Sequence, residues 1–243
     1  MDKLKELQDV IDHSQKIVFF GGAGVSTESN IPDFRSSDGV YSVTLGRHFT
    51  AEQLVSHTMF ERYPEDFFDF YKKYLLYPDA KPNAAHRYLA WLEQKGKLKA
   101  VVTQNIDSLH EMAGSKKVLK LHGSADRNYC TGCQRFYDLE AFLALAGTIP
   151  HCLDCGKVVK PDVTLYEEPL DMDVFSQAAR AIQEADLLII GGTSLVVYPA
   201  ASLIQYFQGK NLVVINKTNI PQDKQADLVI EGKIGQVFSK LRQ

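Results

Sequence analysis

The sequence predicts an α/β fold, a doubly wound parallel sheet with a smaller inserted lobe. Three observations carry this. Short, continuously apolar runs recur along the chain between helical patterns, as strands covered on both faces do. A glycine cluster follows the first of these runs. Two stretches, residues 36–82 and 126–163, break the rhythm and read as insertions. A chain of 243 residues holds one sizeable core, or a large domain with a small attachment.

The elements follow in order. Leu4, Leu7 and Ile11 lie at helical spacing beside Val10, so residues 2–15 form an amphipathic helix. "KIVFF" at 16–20 is the first buried strand, followed by "KAVVT" at 99–103, "LLIIG" at 187–191, "LVVIN" at 212–216 and "DLVI" at 227–230. A shorter apolar run, "VLKL", precedes His122. Helices fall around 83–95, 173–184, 199–208 and 234–241, with Pro199 suiting a first helical turn. The first insertion holds the aromatic helical segment "PEDFFDFYKKYLLYPDAKP", and the second holds all four cysteines. The division expected is residues 1–35, 83–125 and 164–243 for the nucleotide-binding domain, and residues 36–82 and 126–163 for the small lobe.

Composition excludes several classes. A net charge of -3 and 23% charged residues give no bulk attraction to nucleic acid or to a membrane surface. No apolar run approaches the roughly 20 residues that span a bilayer. The polar start "MDKLKELQDVIDHSQK" lacks the apolar centre of a secretory signal, so the expectation is a cytoplasmic protein.

The glycine cluster sits where a strand turns toward a helix. Gly22 and Gly24 let backbone approach a pyrophosphate, and a helix N-terminus offers free N–H groups to anionic oxygen. Thr27 takes the place of the third glycine, and no second strand with a ribose-binding acid follows. A hydride-transfer dehydrogenase is therefore disfavoured. Further polar clusters end later strands: Gln104, Asn105 and Asp107; His122 and Gly123; Thr193 and Ser194; Asn216. Ligands of open parallel sheets bind at strand C-termini, so these segments converge in space. Singly, each reads as a turn former or a cap.

Cys130, Cys133, Cys152 and Cys155 form two C-x-x-C pairs, with residues 134–151 between them. That spacing fits a structural zinc ribbon, in which four thiolates fill a tetrahedron and leave no position for activated water. His151 is read as a neighbour of the site.

Together "GAGVSTESNIPDFR", "TQNID", "LHG", the paired C-x-x-C motifs, "GTSLVVYP" and "IN" resemble, in order, the motifs of sirtuins, the NAD-dependent protein-lysine deacylases. The resemblance runs from about Lys16 to the C-terminus. It implies a Rossmann-like domain and NAD as a consumed co-substrate. The acyl-lysine oxygen attacks the nicotinamide ribose, nicotinamide leaves, and an imidate resolves to free lysine and O-acyl-ADP-ribose. By the same resemblance, Gly22, Ala23 and Gly24 hold the pyrophosphate with Thr27 nearby. Asp33 orders the loop, Phe34 shields the sugar, and Arg35 meets phosphate. Gln104 and Asn105 contact the ribose, Ile106 and Asp107 the carboxamide, and His122 is the general base. An imidazole suits that task near neutral pH. Thr193, Ser194 and Asn216 take the adenosine half, with backbone near Ile234 over adenine.

Acetylated protein or peptide lysine is the implied partner. It lies between "VTLYEE" (Val163, Tyr166, Glu167, Glu168) and "LVVYP" (Val196, Val197, Tyr198), as an added strand. Phe68 and Tyr71 match the positions where relatives preferring acidic acyl groups carry Tyr-x-x-Arg. Without that arginine a buried succinyl carboxylate lacks a counter-charge, so neutral acyl groups are expected, acetyl first. The chain departs from the family pattern at Gly21 (usually Thr), Asn30 (usually Gly) and Glu167 (usually Gly). Asn tolerates positive φ; Glu167 leaves peptide geometry open. Two rivals are protein ADP-ribosyl transfer and a non-catalytic NAD or zinc-binding module. Neither requires His122 beside Asn105 and Asp107.

Overall fold

The computed structural model describes residues 2–34, 39–40 and 49–242. Asp2 caps α1 (Lys3–His13), accepting from the Leu4 N–H, and α1 leads into β1 (Ile17–Gly21). The next two strands of the main sheet are β2 (Leu98–Thr103) and β3 (Val118–Lys120). Then β4 (Gly123–Cys130), β5 (Phe136–Tyr137) and β6 (Val159–Val163) form a second, antiparallel sheet in the order β5-β4-β6. After it come β7 (Leu187–Gly191), β8 (Asn211–Asn216) and β9 (Leu228–Glu231). The main sheet runs in the order β3-β2-β1-β7-β8-β9, with every neighbouring pair parallel.

The apolar runs are continuous because both faces of the sheet are covered. Phe19, Val101, Ile189 and Val213 face one core, where Leu7 and Ile11 of α1, Leu89 and Leu92 of α5 (Ala84–Gln94) and Phe238 pack. Their neighbours Val18, Phe20, Val102 and Ile190 face the other, with Ala178 and Ile182 of the helix Met172–Gln183 and Leu203. Period-two alternation thus serves two apolar layers, and no polar face remains to mark it.

A third core belongs to the insertions. It joins the helices α2 (Ala51–Leu54), α3 (His57–Arg62) and α4 (Pro64–Tyr74) to the antiparallel sheet through Phe60, Phe67, Phe68, Tyr71, Phe142, Tyr137 and Val159. Pro64 opens α4, where its missing N–H is harmless.

Two expectations shift. The segment expected as a helix over 199–208 is a run of 3₁₀ turns over Ala200–Tyr206, with Pro199 as its cap rather than in its first turn. The glycine cluster leads into two short 3₁₀ turns, Ala23–Val25 and Thr27–Ser29, instead of an α-helix. Asn30 ends them at φ 63°, the left-handed conformation that Asn tolerates. Among the described residues no helix is long and apolar enough to cross a membrane.

Candidate active site and metal centre

Parallel register brings the strand ends onto one rim. Gly21 lies beside Thr103 on one side and Gly191 on the other, Thr103 is paired with Lys120, and Gly191 with Ile215. Residues far apart in sequence therefore leave the sheet together.

Backbone contact closes the centre. The Gly24 N–H donates to the Gly192 carbonyl at 2.8 Å. A Cβ on Gly24 would sit 2.8 Å from Gly192 Cα, and Gly192 itself has φ +60°. Only glycine fits both places. Because that N–H is already used, the expected row of free helix N–H groups is reduced to what the 3₁₀ turns leave. Thr27 turns its hydroxyl onto Gly24 O at 3.0 Å.

Side chains then knit the rim. Gln104 Nε2 donates to Thr193 Oγ1 at 3.2 Å. Thr193 N–H donates to Asn216 Oδ1 at 3.0 Å, and Asn216 Nδ2 returns to Thr193 O at 2.7 Å. Asn105 Nδ2 donates to Ser26 Oγ at 3.0 Å, and that hydroxyl donates to Asp107 at 2.8 Å. Burial raises the Asp107 pKa, while the Leu109 N–H, Ser26 and the Lys120 charge pull it down. His122 Nδ1 lies 2.8 Å from Gln104 O, which makes Nδ1–H the donor and Nε2 the basic nitrogen. Burial lowers the His122 pKa, partly offset by that bond, so the imidazole is neutral at pH 7.

The remaining expected residues are placed as follows. Asp33, Phe34 and Ile106 are half-buried, and Phe34 and Ile106 pack on the third core. Arg35 lies outside the described residues. Ser194 is exposed, as are Val196 and Tyr198, with Val197 half-buried. Val163 is buried and paired with Gly123, and the Thr164 N–H donates to His122 O, so the segment holding Tyr166, Glu167 and Glu168 starts beside the His122 backbone. Ile234 has its side chain in the first core, against Gly191. Phe68 and Tyr71 lie inside the third core, fully buried among Phe60, Phe67 and Phe142.

Two organising residues escaped the sequence reading. Ser26 ties Asn105 to Asp107, although it lies within the glycine motif. Asn83 caps α5 and sends Nδ2 to Val25 O at 2.8 Å and Ser29 Oγ at 3.0 Å, joining that helix to the loop. A polar residue just before a helical pattern is the signal that finds it.

The four cysteine sulfurs lie within 4.8 Å of one another, and no disulfide joins them. Gly132 and Cys133 N–H groups point at Cys130 Sγ at 3.3 and 3.4 Å, and Tyr137 donates its hydroxyl to Cys152 Sγ at 3.3 Å. Soft thiolate donors so clustered, with Cys130 and Cys152 supported by N–H or O–H groups, fit one tetrahedral zinc ion. His151 is exposed and turned to Gly156 O, outside the cluster.

Fold and site define an α/β dinucleotide-binding protein with a four-cysteine ribbon in its inserted lobe. A family model described as "Sir2 family" matches residues 22–199. The chain is 61% identical over 241 residues to an NAD-dependent protein deacetylase of Clostridium perfringens, covering 99% of this chain and 98% of that one. It is 48% identical to one of Cutibacterium acnes, covering 98% and 97%. Among solved structures, "Sir2-p53 peptide-NAD+" superposes with TM-score 0.86 at 37% identity, covering 98% of this chain and 96% of that chain. "Sir2 bound to acetylated peptide" gives 0.85 at 37%, with the same coverage. The chain belongs to the Sir2 family.

Proposed function

We propose that this protein removes acetyl and other neutral acyl groups from protein lysine, consuming NAD and giving free lysine, nicotinamide and O-acyl-ADP-ribose. The observation that carries the reading is His122: a half-buried, neutral imidazole with Nδ1–H held by Gln104, on the same rim as Asn105 and Asp107. Such an imidazole accepts a proton at Nε2, here from a ribose hydroxyl. NAD bound on the rim supplies an electrophilic sugar carbon and a leaving nicotinamide. The chain orients it: Gly22, Ala23, Gly24 and Thr27 at the pyrophosphate, Asp33, Phe34 and Arg35 over the loop side, Gln104 and Asn105 at the ribose, Ile106 and Asp107 at the carboxamide. Thr193, Ser194, Asn216 and backbone near Ile234 take the adenosine half.

The peptide enters as a strand between the segments 163–168 and 195–199, where Tyr166, Val196 and Tyr198 are exposed. Zinc on Cys130, Cys133, Cys152 and Cys155 is structural. Division into a nucleotide domain (1–35, 83–125, 164–243) and a small lobe (36–82, 126–163) is supported by the separate third core. Reduced, clustered thiols accord with a cytoplasmic location.

The test is incubation with NAD and an acetyl-lysine peptide, with mass analysis of every product, in wild type and His122→Ala. Deacetylated peptide with O-acetyl-ADP-ribose supports the reading; an ADP-ribosylated protein, or NAD bound with no nicotinamide released, overturns it. Phe68 and Tyr71 contribute no cation, so succinyl-lysine peptide turns over more slowly than acetyl-lysine peptide.

A further inference from the structure

The substrate-facing segment is stitched to the small lobe over three consecutive residues, Tyr166 to Glu168. Tyr166 N–H donates to Val55 O at 3.1 Å, and His57 N–H donates to Tyr166 O at 2.9 Å, so Ser56 and Tyr166 pair as a parallel bridge. Next along, Glu167 Oε2 accepts from both the N–H and the hydroxyl of Thr58, at 2.9 and 2.7 Å. Glu168 follows, with Oε1 at 3.0 Å from His57 Nδ1 and Oε2 accepting from Leu165 N–H at 2.9 Å and Lys160 Nζ at 3.3 Å.

Glu167 is the anomalous member. Its backbone has φ 76°, a conformation natural to glycine and strained for glutamate. A glutamate persists in that conformation only where the surroundings hold it, and the two Thr58 donors are that hold. Its carboxylate therefore faces α3 of the small lobe, while its backbone continues the edge that an added peptide strand would meet.

We propose that Glu167 is a positioning residue for the peptide substrate: by clasping Thr58 it fixes residues 164–168 to the α2–α3 junction, so that the peptide-binding edge and the small lobe are held in one arrangement. This rests on the deacylase reading above. Glu167 touches neither the reacting atoms nor NAD in this role, and it acts through the backbone of Leu165 to Glu167. The clasp would thus influence peptide capture and leave NAD capture alone.

The experiment compares Glu167→Gly, Thr58→Val and Thr58→Ser using steady-state kinetics and amide hydrogen exchange. Glycine relieves the backbone strain but removes the clasp, valine removes the hydroxyl donor, and serine keeps it. In Glu167→Gly and Thr58→Val the peptide KM rises about fivefold or more, as expected when hydrogen bonds to a charged group are lost. Over the same series kcat and the NAD KM stay within about twofold, and Thr58→Ser restores the wild-type peptide KM. Exchange at the Tyr166 amide quickens in the first two variants only. The double variant Glu167→Gly/Thr58→Val is no worse than the more impaired single one, since both remove one interaction. An unchanged peptide KM in both, or additive losses in the double variant, overturns the clasp. Should Glu167→Gly fail to fold, the valine and serine pair at Thr58 decides alone. Absence of NAD-dependent product from wild-type protein would instead refute the deacylase reading.

Discussion

The hydroxyl of Ser26 donates to the carboxylate of Asp107 at 2.8 Å while accepting from Asn105 at 3.0 Å, so the glycine loop and the loop after β2 share one hydrogen-bonded centre. Asp107 sits where burial opposes its charge. The Ser26 bond favours the ionised form.

Ser26→Ala is therefore expected to raise the Asp107 pKa further and to leave Asn105 without its partner. A hydrogen bond to a charged group is worth about 1.5–3 kcal/mol, so kcat/KM falls roughly tenfold or more. The acid limb of the kcat/KM profile moves to higher pH. A pH series of nicotinamide release checks both.

For His122→Ala, kcat drops by about 10²–10⁴ while NAD still binds, since the imidazole transfers a proton rather than holding the nucleotide. In wild type the His122 pKa is depressed from 6.5, so activity is full at neutral pH and declines only as pH falls below 6.5, through the lowered value. Calorimetric NAD titration of the variant, beside the wild-type rate profile, measures the two effects.

Zinc should be present at about one ion per chain, and its loss should loosen the inserted lobe before the main sheet. Cys130 and Cys152 are buried, Cys133 and Cys155 exposed. Cys152→Ser also deprives Tyr137 of its acceptor and should lower the melting temperature more than Cys155→Ser. Elemental analysis and thermal melts with and without a chelator read this out.

Acid should destabilise the fold through two buried histidines behind the site. His86 and His110 lie ring to ring at 4.7 Å, and His110 also meets Phe19 at 6.2 Å. Burial, then the Arg87 charge, lowers the His86 pKa from 6.5 to about 4; burial, then His86 and Lys120, holds His110 well below its usual value. Unfolded histidine binds the proton that these reject. Stability is complete above pH 6.5 and drains as pH falls toward 4, by about 3 kcal/mol from His86. His86→Gln should flatten the dependence of melting temperature on pH across that window.

The sheet could be read from the chain because five apolar runs have the length and continuity of strands buried on both faces. The helix from Pro64 could be read from its aromatic spacing. Where local preference was weak, the chain misled: Ala200–Tyr206 became 3₁₀ turns, and the segment after Gly22 made two short 3₁₀ turns, with the Gly24 N–H donated to Gly192 O, across the site and far along the chain. Phe68 and Tyr71 match the family's acyl-selecting positions, and their rings pack in the third core, a placement that depends on Phe142 in the other insertion.

By itself the sequence determined the α/β class, the four thiol ligands, and the polar groups that end each strand, since these rest on residue type and short-range spacing. Tertiary structure alone decided which of those groups meet. Ser26 reaching Asp107, Gln104 directing the His122 proton, and Thr58 holding Glu167 all join distant segments, and their geometry is set by strand order and register. No local pattern encodes that order, because parallel strands are joined through long crossovers whose partners are chosen only when the whole core packs.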